Sequence, residues 1–388
     1  MGRFTVELAN AIAAAGVDTL LVSPEQQHPL QGVKQNVLQR AMSRRRLDKL
    51  LSLARLSLGL AAAAWRYGSR RTPLLMVHVA PSLPVSLLPI VVARWRRAPI
   101  ALNLHDFYPH TLRFPRALHG LERALYRWAY RRFDVVLTTT PEQTRRLVSE
   151  AGYPPERVAS LYHGVFTVPG IVPPAPDAEL TLLVFGSLRP NKRVLESIEA
   201  VRALRAAGHA VRLRIAGAPR REDADYWSAC LAALPADRDG FEIEARFVDE
   251  RELPLLYSGV DAFLCPYTDF DSQSGVSMTA VSNGIPVVGT MMARAADVEP
   301  GGDGWTIIAP SAERTAIEHA ILSFAAIPRL RRLAAATATR DRVQAAAGWP
   351  RLGRLYVEAM AAAGFWRAAS ATPTPDCVVT SPALERRA

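Results

Sequence analysis

A glycine-containing turn between a predicted buried strand and a predicted helix is the stretch best suited to chemistry. The apolar run Asp261–Tyr267 has the length of a buried strand, the turn DFDSQSG ends at Gly275, and a helix is predicted over Val276–Asn283. A glycine turn at a helix start presents backbone N–H groups and the positive end of the helix dipole, which suit a phosphate. Any strand–loop–helix unit of an α/β domain has this shape, so a purely structural role is at least as well supported.

A cationic turn follows another predicted strand. In FGSLRPNK, Gly186 and Ser187 form a tight turn, and Arg189 and Lys192 project from the loop and from the start of the next helix. Two cations beside a helix N-terminus suit a diphosphate. Taken alone, a surface loop with two solvated charges is the simpler interpretation.

Histidines follow two predicted strands of the N-terminal half. His105 and Asp106 stand where one strand stops, and His163 ends the last strand of that half. A histidine at a strand end could hydrogen-bond a sugar hydroxyl or act as an acid or base, and a structural histidine is the alternative. His78 lies inside an apolar strand, where we expect it to belong to the core.

The elements that position these residues alternate between strand and helix on both sides of the segment FTVPGIVPPAPDAE. This predicts an α/β fold of two doubly wound, Rossmann-like domains facing across a cleft, with ligands beyond the carboxyl ends of the strands. We expect a first domain over residues 1–165, a linker over 166–179 and a second domain over 180–348. A helix over 349–365 is expected to return to the first domain, and a disordered tail over 366–388 to follow.

The composition is that of a globular, cytoplasmic chain. Its 388 residues are 49% hydrophobic, which is enough for two cores and excludes a disordered chain. Cys230, Cys265 and Cys377 are far apart, which favours a reducing compartment over a disulfide framework or a metal site.

Met1–Gly16 resembles an amphipathic helix without a cleavage site, so we expect no signal peptide. Pro73–Ala93 carries no acidic residue and is apolar, but internal prolines divide it into a strand and a helix, so we expect no membrane span.

The net charge of +11 is concentrated in one stretch. Between Lys34 and Arg71, ten Lys and Arg stand against Asp48 alone, and leucines recur there at helical spacing. A basic helix with a broad apolar face fits the anionic inner surface of the cell membrane, and a core helix with a solvated basic edge fits equally well. A nucleic-acid interface is less well supported, because the stretch offers few aromatic side chains for base stacking.

Three segments of the second half resemble, in this order and spacing, the donor-binding domain of retaining GT-B glycosyltransferases of family 4. They are FGSLRPNKRVLESIEAVRAL, RFVDERELPLLYSGVDAFLCPY and DSQSGVSMTAVSNGIPVVGT. LNLHDFYP and VASLYHGVF are similar to the HD and HG segments of the acceptor domain, so the resemblance runs from Phe4 to Ala363. It implies transfer of a sugar, with retention, from a nucleotide diphosphate sugar, UDP- or GDP-linked, to an acceptor, without a metal or other cofactor. The membrane-surface interpretation of the basic stretch implies that this acceptor is lipid-linked or a polysaccharide.

The resemblance also implies roles for individual residues. Arg189 and Lys192 would hold the diphosphate and neutralise it as it leaves. Asp271 would contact the donor sugar, and His105 would approach that sugar from the other domain. Asp106 and His163 would lie on the acceptor side. The donor side would further include Gly186, Ser187, Ser274, Gly275, Val276, Thr279 and Phe247.

The chain departs from the family pattern in three places. Thr279 stands where a second glutamate would grip the nucleotide ribose, and Ser187 stands where an arginine is usual, with Arg189 as its substitute. The first strand and its glycine-rich loop are absent, so we expect the first sheet to lack a strand and the start codon to have been placed too late. The alternative is a catalytically impaired sugar-nucleotide-binding or scaffold protein of the same fold.

Overall fold

The computed structural model describes residues 2–26, 28–38, 46–77, 83–109, 114–269, 273–293, 304–309, 311–366 and 376–380. It contains two compact units, Met1–Gly164 with Ala346–Arg387 (unit 1) and Val165–Ala345 (unit 2). Two residues named above, His78 and Asp271, lie outside the described residues.

Unit 1 begins with alternating helices and strands. Its elements before the unit boundary are α1 (Gly2–Ala14), β1 (Asp18–Ser23), β2 (Val33–Val37), α2 (Arg46–Tyr67), β3 (Leu74–Val77), α3 (Leu83–Trp95), β4 (Ile100–Asn103), α4 (His119–Tyr130), β5 (Val135–Thr138), α5 (Pro141–Ser149) and β6 (Val158–Ser160). Local signals fix some of these bounds: Thr140 caps α5 by accepting a hydrogen bond from the Gln143 amide, and Pro141 occupies the first helical turn.

Unit 2 repeats the alternation. Its elements are β7 (Leu180–Phe185), α6 (Val194–Ala206), β8 (Val211–Ala216), α7 (Ala224–Ala232), β9 (Phe241–Glu244), α8 (Leu253–Tyr257), β10 (Ala262–Cys265), α9 (Gly275–Ser282), β11 (Val287–Gly289), β12 (Trp305–Ile307), α10 (Arg314–Ala326) and α11 (Arg329–Ala347). The six strands are parallel in the order β12-β11-β10-β7-β8-β9.

The chain ends with two elements that belong to unit 1, namely α12 (Trp349–Ala362) and β13 (Asp376–Thr380). Helix α12 packs on α1 so closely that a Cβ at Gly353 would lie 2.1 Å from the Ala11 carbonyl oxygen. The Tyr356 hydroxyl, also on α12, donates a 2.5 Å hydrogen bond to Asn103 Oδ1 at the end of β4.

Strand β13 lies in the middle of the parallel sheet of unit 1, whose order is β2-β1-β13-β3-β4-β5-β6. Val379 pairs with Leu21 on one side and with Leu75 on the other. The expectation of a disordered tail is therefore wrong for residues 376–380. The predicted missing strand also leaves no gap in the sheet, because β13 occupies the position between β1 and β3. A buried parallel strand needs only a short apolar run, and CVVT supplies it.

The predicted linker is bound to unit 2. The Val168 amide donates to Asn283 Oδ1 at 2.8 Å, and Asn283 Nδ2 donates to the Phe166 carbonyl at 2.9 Å. Arg329 donates to the carbonyls of Ala175, Pro176 and Ala178 in the same segment. The Pro- and Gly-rich composition thus marks a segment without regular structure, but not a free one.

Each unit has its own apolar core between sheet and helices. Right-handed crossovers place α2 to α5 on one face of the unit 1 sheet. Helix α1 packs on α12. No helix in the described ranges is long and apolar enough to cross a membrane.

The central position of β13 predicts that a charged substitution in this strand lowers the stability of the protein. Val379 is fully buried, so Val379→Asp places a carboxylate in the apolar interior against the sheet and should lower the free energy of unfolding by ~3 kcal/mol or more. Val172→Asp, at an exposed valine, is the matched control. Denaturant unfolding of both variants measures the difference; equal stabilities would contradict the assignment of β13 to the core.

Candidate functional site

The sheet of unit 2 changes its winding direction between β7 and β10, which are hydrogen-bonded neighbours. From β7 the chain proceeds to β8 on one side, and from β10 it proceeds to β11 on the other. The loops that follow β7 and β10 therefore diverge and leave a crevice at the carboxyl ends of the strands, the usual ligand site of a doubly wound sheet. The cationic turn and the glycine turn predicted from the sequence are these two loops.

Gly186 joins the two loops. Its φ is +92°, and its amide donates to the Ala216 carbonyl at 2.9 Å, which continues the ladder between β7 and β8. A Cβ at this position would lie 2.9 Å from Lys192 Nζ and 3.3 Å from Val276 Cγ2. The backbone conformation and the close approach both require glycine, and they bring the ends of β7 and α9 together around Lys192.

Lys192 is buried, with 4% of its surface exposed. Its Nζ donates a 2.6 Å hydrogen bond to the Phe185 carbonyl and lies 5.2 Å from the centre of the Tyr267 ring. Burial, and secondarily the charge of Arg189, lowers the pKa of Lys192 to about 7. This is a desolvated ammonium group that an anion would stabilise.

The N-terminus of α9 supplies backbone donors next to this lysine. The Ser274 hydroxyl caps the helix by accepting a hydrogen bond from the Ser277 amide at 3.2 Å. Helix geometry offers no intrahelical acceptor to the amides of Gly275 and Val276, and both residues are partly exposed. Val276 touches the Gly186 position, so the helix dipole and Lys192 act on the same small volume.

The other residues predicted for the donor side have varied environments in the structure. Ser187 is exposed, and Arg189 is close enough to lower the pKa of Lys192. The Thr279 hydroxyl donates to the Gly275 carbonyl at 2.8 Å, so it bonds within α9. Phe247 is 54% exposed in the loop after β9, the edge strand two positions from β7. Asp271, the predicted sugar contact, lies outside the described residues.

An aromatic cluster gathers the two predicted histidines of unit 1. The ring centres of His105 and His163 are 5.6 Å apart, and the Phe4 ring lies 6.3 Å from the first and 5.1 Å from the second. Trp349, at the start of α12, meets Phe4 edge-on at 5.6 Å. A Cβ at Gly164 would lie 2.2 Å from the Trp349 ring, which explains why glycine follows His163.

The two histidines differ in their environments. His163 is buried, its Nδ1 lies 3.1 Å from the Gly164 carbonyl oxygen, and burial lowers the pKa of His163 to about 3, with a smaller effect from His105. His105 is partly exposed, and its carbonyl accepts a 2.6 Å hydrogen bond from Gln143. Asp106 is buried beside it. Burial thus holds His163 neutral near pH 7, whereas His105 is partly exposed.

Sequence reasoning missed several members of these clusters. Tyr267, under Lys192, was assigned only to a strand, although an aromatic residue directly after a buried strand near a glycine turn was a usable signal. Gly217 lies so close to Gly186 that a Cβ would be 1.9 Å from the Gly186 carbonyl oxygen. Phe4 and Trp349 come from elements 345 positions apart in the numbering, and no local pattern joins them.

Comparison with known proteins identifies the family to which the chain belongs. The profile described as Glycosyltransferase Family 4 matches residues 1–167, and the profile described as Glycosyl transferases group 1 matches residues 179–326. The chain belongs to the family 4-like, group 1 glycosyltransferases. The resemblance inferred from the motifs is thereby confirmed at the level of the family.

Individual relatives agree with this assignment. Over 216 residues the glycosyltransferase chain is 31% identical to the protein provisionally named colanic acid biosynthesis glycosyltransferase WcaL of Salmonella typhimurium. This match covers 52% of the chain and 50% of the relative, so the chain spans about half the length of the curated relative it matches.

Solved structures confirm the predicted GT-B class of two Rossmann-like α/β domains. HepE of Anabaena, crystallised with UDP and glucose, is similar with a TM-score of 0.62 at 15% identity, covering 89% of this chain and 99% of that one. Sucrose-phosphate synthase of Thermosynechococcus elongatus is similar with a TM-score of 0.65 at 17% identity, covering 92% of each chain.

The environment of His163 makes the stability of this glycosyltransferase pH-dependent. Between pH ~6.5, the unfolded value, and about 3, the unfolded chain binds more protons than the folded one, so the free energy of unfolding falls as the pH is lowered. We expect a loss of a few kcal/mol across this window from His163. Denaturant unfolding at a series of pH values measures this slope.

His163→Gln should flatten that slope even though it also weakens the aromatic cluster. His209→Gln, at an exposed histidine, serves as the control and should keep the wild-type slope. Parallel curves for the wild type and His163→Gln would show that the pKa of His163 is not lowered in the folded state.

Proposed function

We propose that the protein transfers a sugar from a nucleotide diphosphate sugar to an acceptor hydroxyl. The observation that carries this proposal is the buried Lys192 ammonium group beside the N-terminus of α9, at the winding switch of the unit 2 sheet. A cation and a helix N-terminus acting on one volume fit a diphosphate better than they fit a neutral ligand. The family assignment and the UDP complexes of HepE support the nucleotide sugar as the donor class.

Lys192 and Arg189 would act on the leaving group. Transfer forms a bond between the acceptor hydroxyl oxygen and the anomeric carbon and breaks the bond between that carbon and the diphosphate oxygen. Negative charge develops on the departing oxygen, to which the hydroxyl proton would pass. A preformed cation in a desolvated site stabilises this charge at low reorganisation cost. The family resemblance supports a front-side displacement with retention, in which Asp271 and His105 contact the donor sugar and no metal is required.

The acceptor is proposed to be lipid-linked or a polysaccharide, used at the inner face of the cell membrane. The name of the WcaL relative, which refers to colanic acid biosynthesis, supports a polysaccharide pathway. Asp106 and His163, both buried in unit 1, are the candidates for the acceptor side.

Replacing Lys192 should weaken diphosphate binding. Lys192→Met keeps most of the side-chain volume but removes the charge, which should cost about 1.5–3 kcal/mol, or roughly 10- to 100-fold in Kd for UDP. Lys34→Ala is the control, because Lys34 is exposed and pairs with Asp18 in unit 1. Calorimetric titration with UDP and GDP measures both variants; an unchanged Kd for Lys192→Met would remove Lys192 from the site.

The lowered pKa of Lys192 predicts proton uptake on binding. Above pH ~7 the ammonium group is increasingly neutral in the free protein, and a diphosphate should restore its proton. At pH 8 we therefore expect net uptake of up to one proton per UDP and weaker binding as the pH rises. Calorimetry in buffers of different ionisation enthalpy measures the uptake, which Lys192→Met should abolish. Proton uptake that persists in the variant would assign it to another group.

A non-catalytic binding protein of the same fold is the second candidate. Thr279 favours it, because its hydroxyl bonds within α9 and replaces the carboxylate expected to hold the ribose. Incubation with UDP- and GDP-linked sugars, with and without a chelator, distinguishes the two functions. Release of UDP or GDP supports an enzyme, and binding without release supports the second candidate.

A further inference from the structure

Three adjacent helices of unit 1 each expose a leucine and a tryptophan seven positions apart. Seven residues are close to two helical turns, so the members of each pair lie on one face of their helix. The exposed fractions range from 37% for Trp128 to 71% for Trp95. The pairs are Leu58 and Trp65 on α2, Leu88 and Trp95 on α3, and Leu121 and Trp128 on α4. We call these six residues the Leu–Trp face.

The helices that carry the face are in contact with one another. Helix α3 packs along α2 and also touches α4. The Trp65 and Trp95 rings stack with their centres 4.8 Å apart, which joins the apolar lines of α2 and α3. Arginines lie over two of the tryptophan rings of the face. Arg96 lies 4.9 Å from the Trp65 ring centre, and Arg132 lies 4.7 Å from the Trp128 ring centre.

The face is separate from the core of unit 1. On α2, Leu56 and Leu60 are buried in the core, whereas Leu51 and Leu58 are more than half exposed. One side of α2 therefore packs on the sheet, as the core-helix interpretation predicts, and the other side is open. Apolar side chains that contribute little to the core but remain exposed in a line are typical of an interaction surface.

The charge around the face is one-sided. From Arg46 to Asp134 the sequence contains fifteen Lys and Arg and four acidic residues, of which Asp106 and Glu122 are buried and Asp134 pairs with Arg94. Exposed arginines such as Arg55 and Arg123 flank the apolar side chains. The surface thus combines leucine, tryptophan and an excess of positive charge.

We propose that the Leu–Trp face docks onto a lipid bilayer that contains anionic lipids. Leucines would enter the acyl boundary, tryptophans would lie at the headgroup level, and arginines would face anionic phosphates. A second copy fits less well, because two such faces would bring like charges together. A nucleic acid fits less well, because it would not bury the leucines. The inference deepens the proposed function, on which it rests, since it explains how a lipid-linked acceptor would be reached.

Flotation of the full-length protein with vesicles tests the proposal. We expect binding to vesicles of phosphatidylcholine and phosphatidylglycerol, and at least ten-fold weaker binding to phosphatidylcholine alone or in high salt. The double variant Leu58→Gln/Trp95→Gln should bind the mixed vesicles at least ten-fold more weakly. Leu255→Gln/Leu330→Gln changes two exposed leucines of unit 2 and should bind like the wild type.

The outcomes separate this proposal from the proposed function. Thermal melting confirms that both double variants are folded, and UDP titration without lipid should be unchanged in both. Lys192→Met should lose UDP affinity but keep vesicle binding. Equal binding to both vesicle types would overturn the docking proposal, and so would normal vesicle binding by Leu58→Gln/Trp95→Gln. Dimerisation or DNA binding that is lost in this variant, without any vesicle binding by the wild type, would also overturn it.

Discussion

A lysine ammonium group buried in unit 2 is the constraint on which the candidate site depends. Burial of a charged group is unfavourable unless it is paired or hydrogen-bonded. Lys192 has the Phe185 carbonyl and the Tyr267 ring, which satisfy it in part and leave its pKa near neutrality. An incoming diphosphate would complete this environment. The same residue is tightly constrained by its neighbours, since Gly186 must lack a side chain for the ammonium group to fit.

In both units, a parallel sheet brings the residues of the candidate site and of the aromatic cluster together. Strands that run the same way bring their carboxyl ends to one edge, so residues from distant parts of the chain come together there. In unit 1 this requires an element from each end of the chain, because β13 lies between β1 and β3 and α12 packs on α1. The aromatic cluster around His105 and His163 follows from that arrangement, with Phe4 on α1 and Trp349 on α12.

Much of this architecture could be predicted from the sequence, and the exceptions have physical reasons. The alternation of apolar strands with amphipathic helices predicted both sheets, and the turns at Gly186 and Gly275 predicted the loops that converge on Lys192. Strand β13 was missed because five residues after a polar segment show no periodicity, and only pairing with two partners stabilises them. Strand β2 is a largely polar edge strand, so it resembles a loop.

Side-chain environments were less predictable than the positions of elements. The motif predicts Thr279 and Ser187 as donor contacts but does not predict that the Thr279 hydroxyl donates within its own helix or that Ser187 is exposed. The basic stretch around α2 was ambiguous because charge and hydrophobicity along one helix do not identify its neighbours. Only the structure shows that α2 packs along α3 and that its line of apolar side chains, Leu51 and Leu58 among them, remains exposed.

The most direct test of the account is a crystal structure of the protein with UDP. The account predicts diphosphate oxygens within hydrogen-bond distance of Lys192 Nζ and of the Gly275 and Val276 amides. UDP bound at another place, with Lys192 Nζ still donating to the Phe185 carbonyl and in contact with no phosphate, would contradict it.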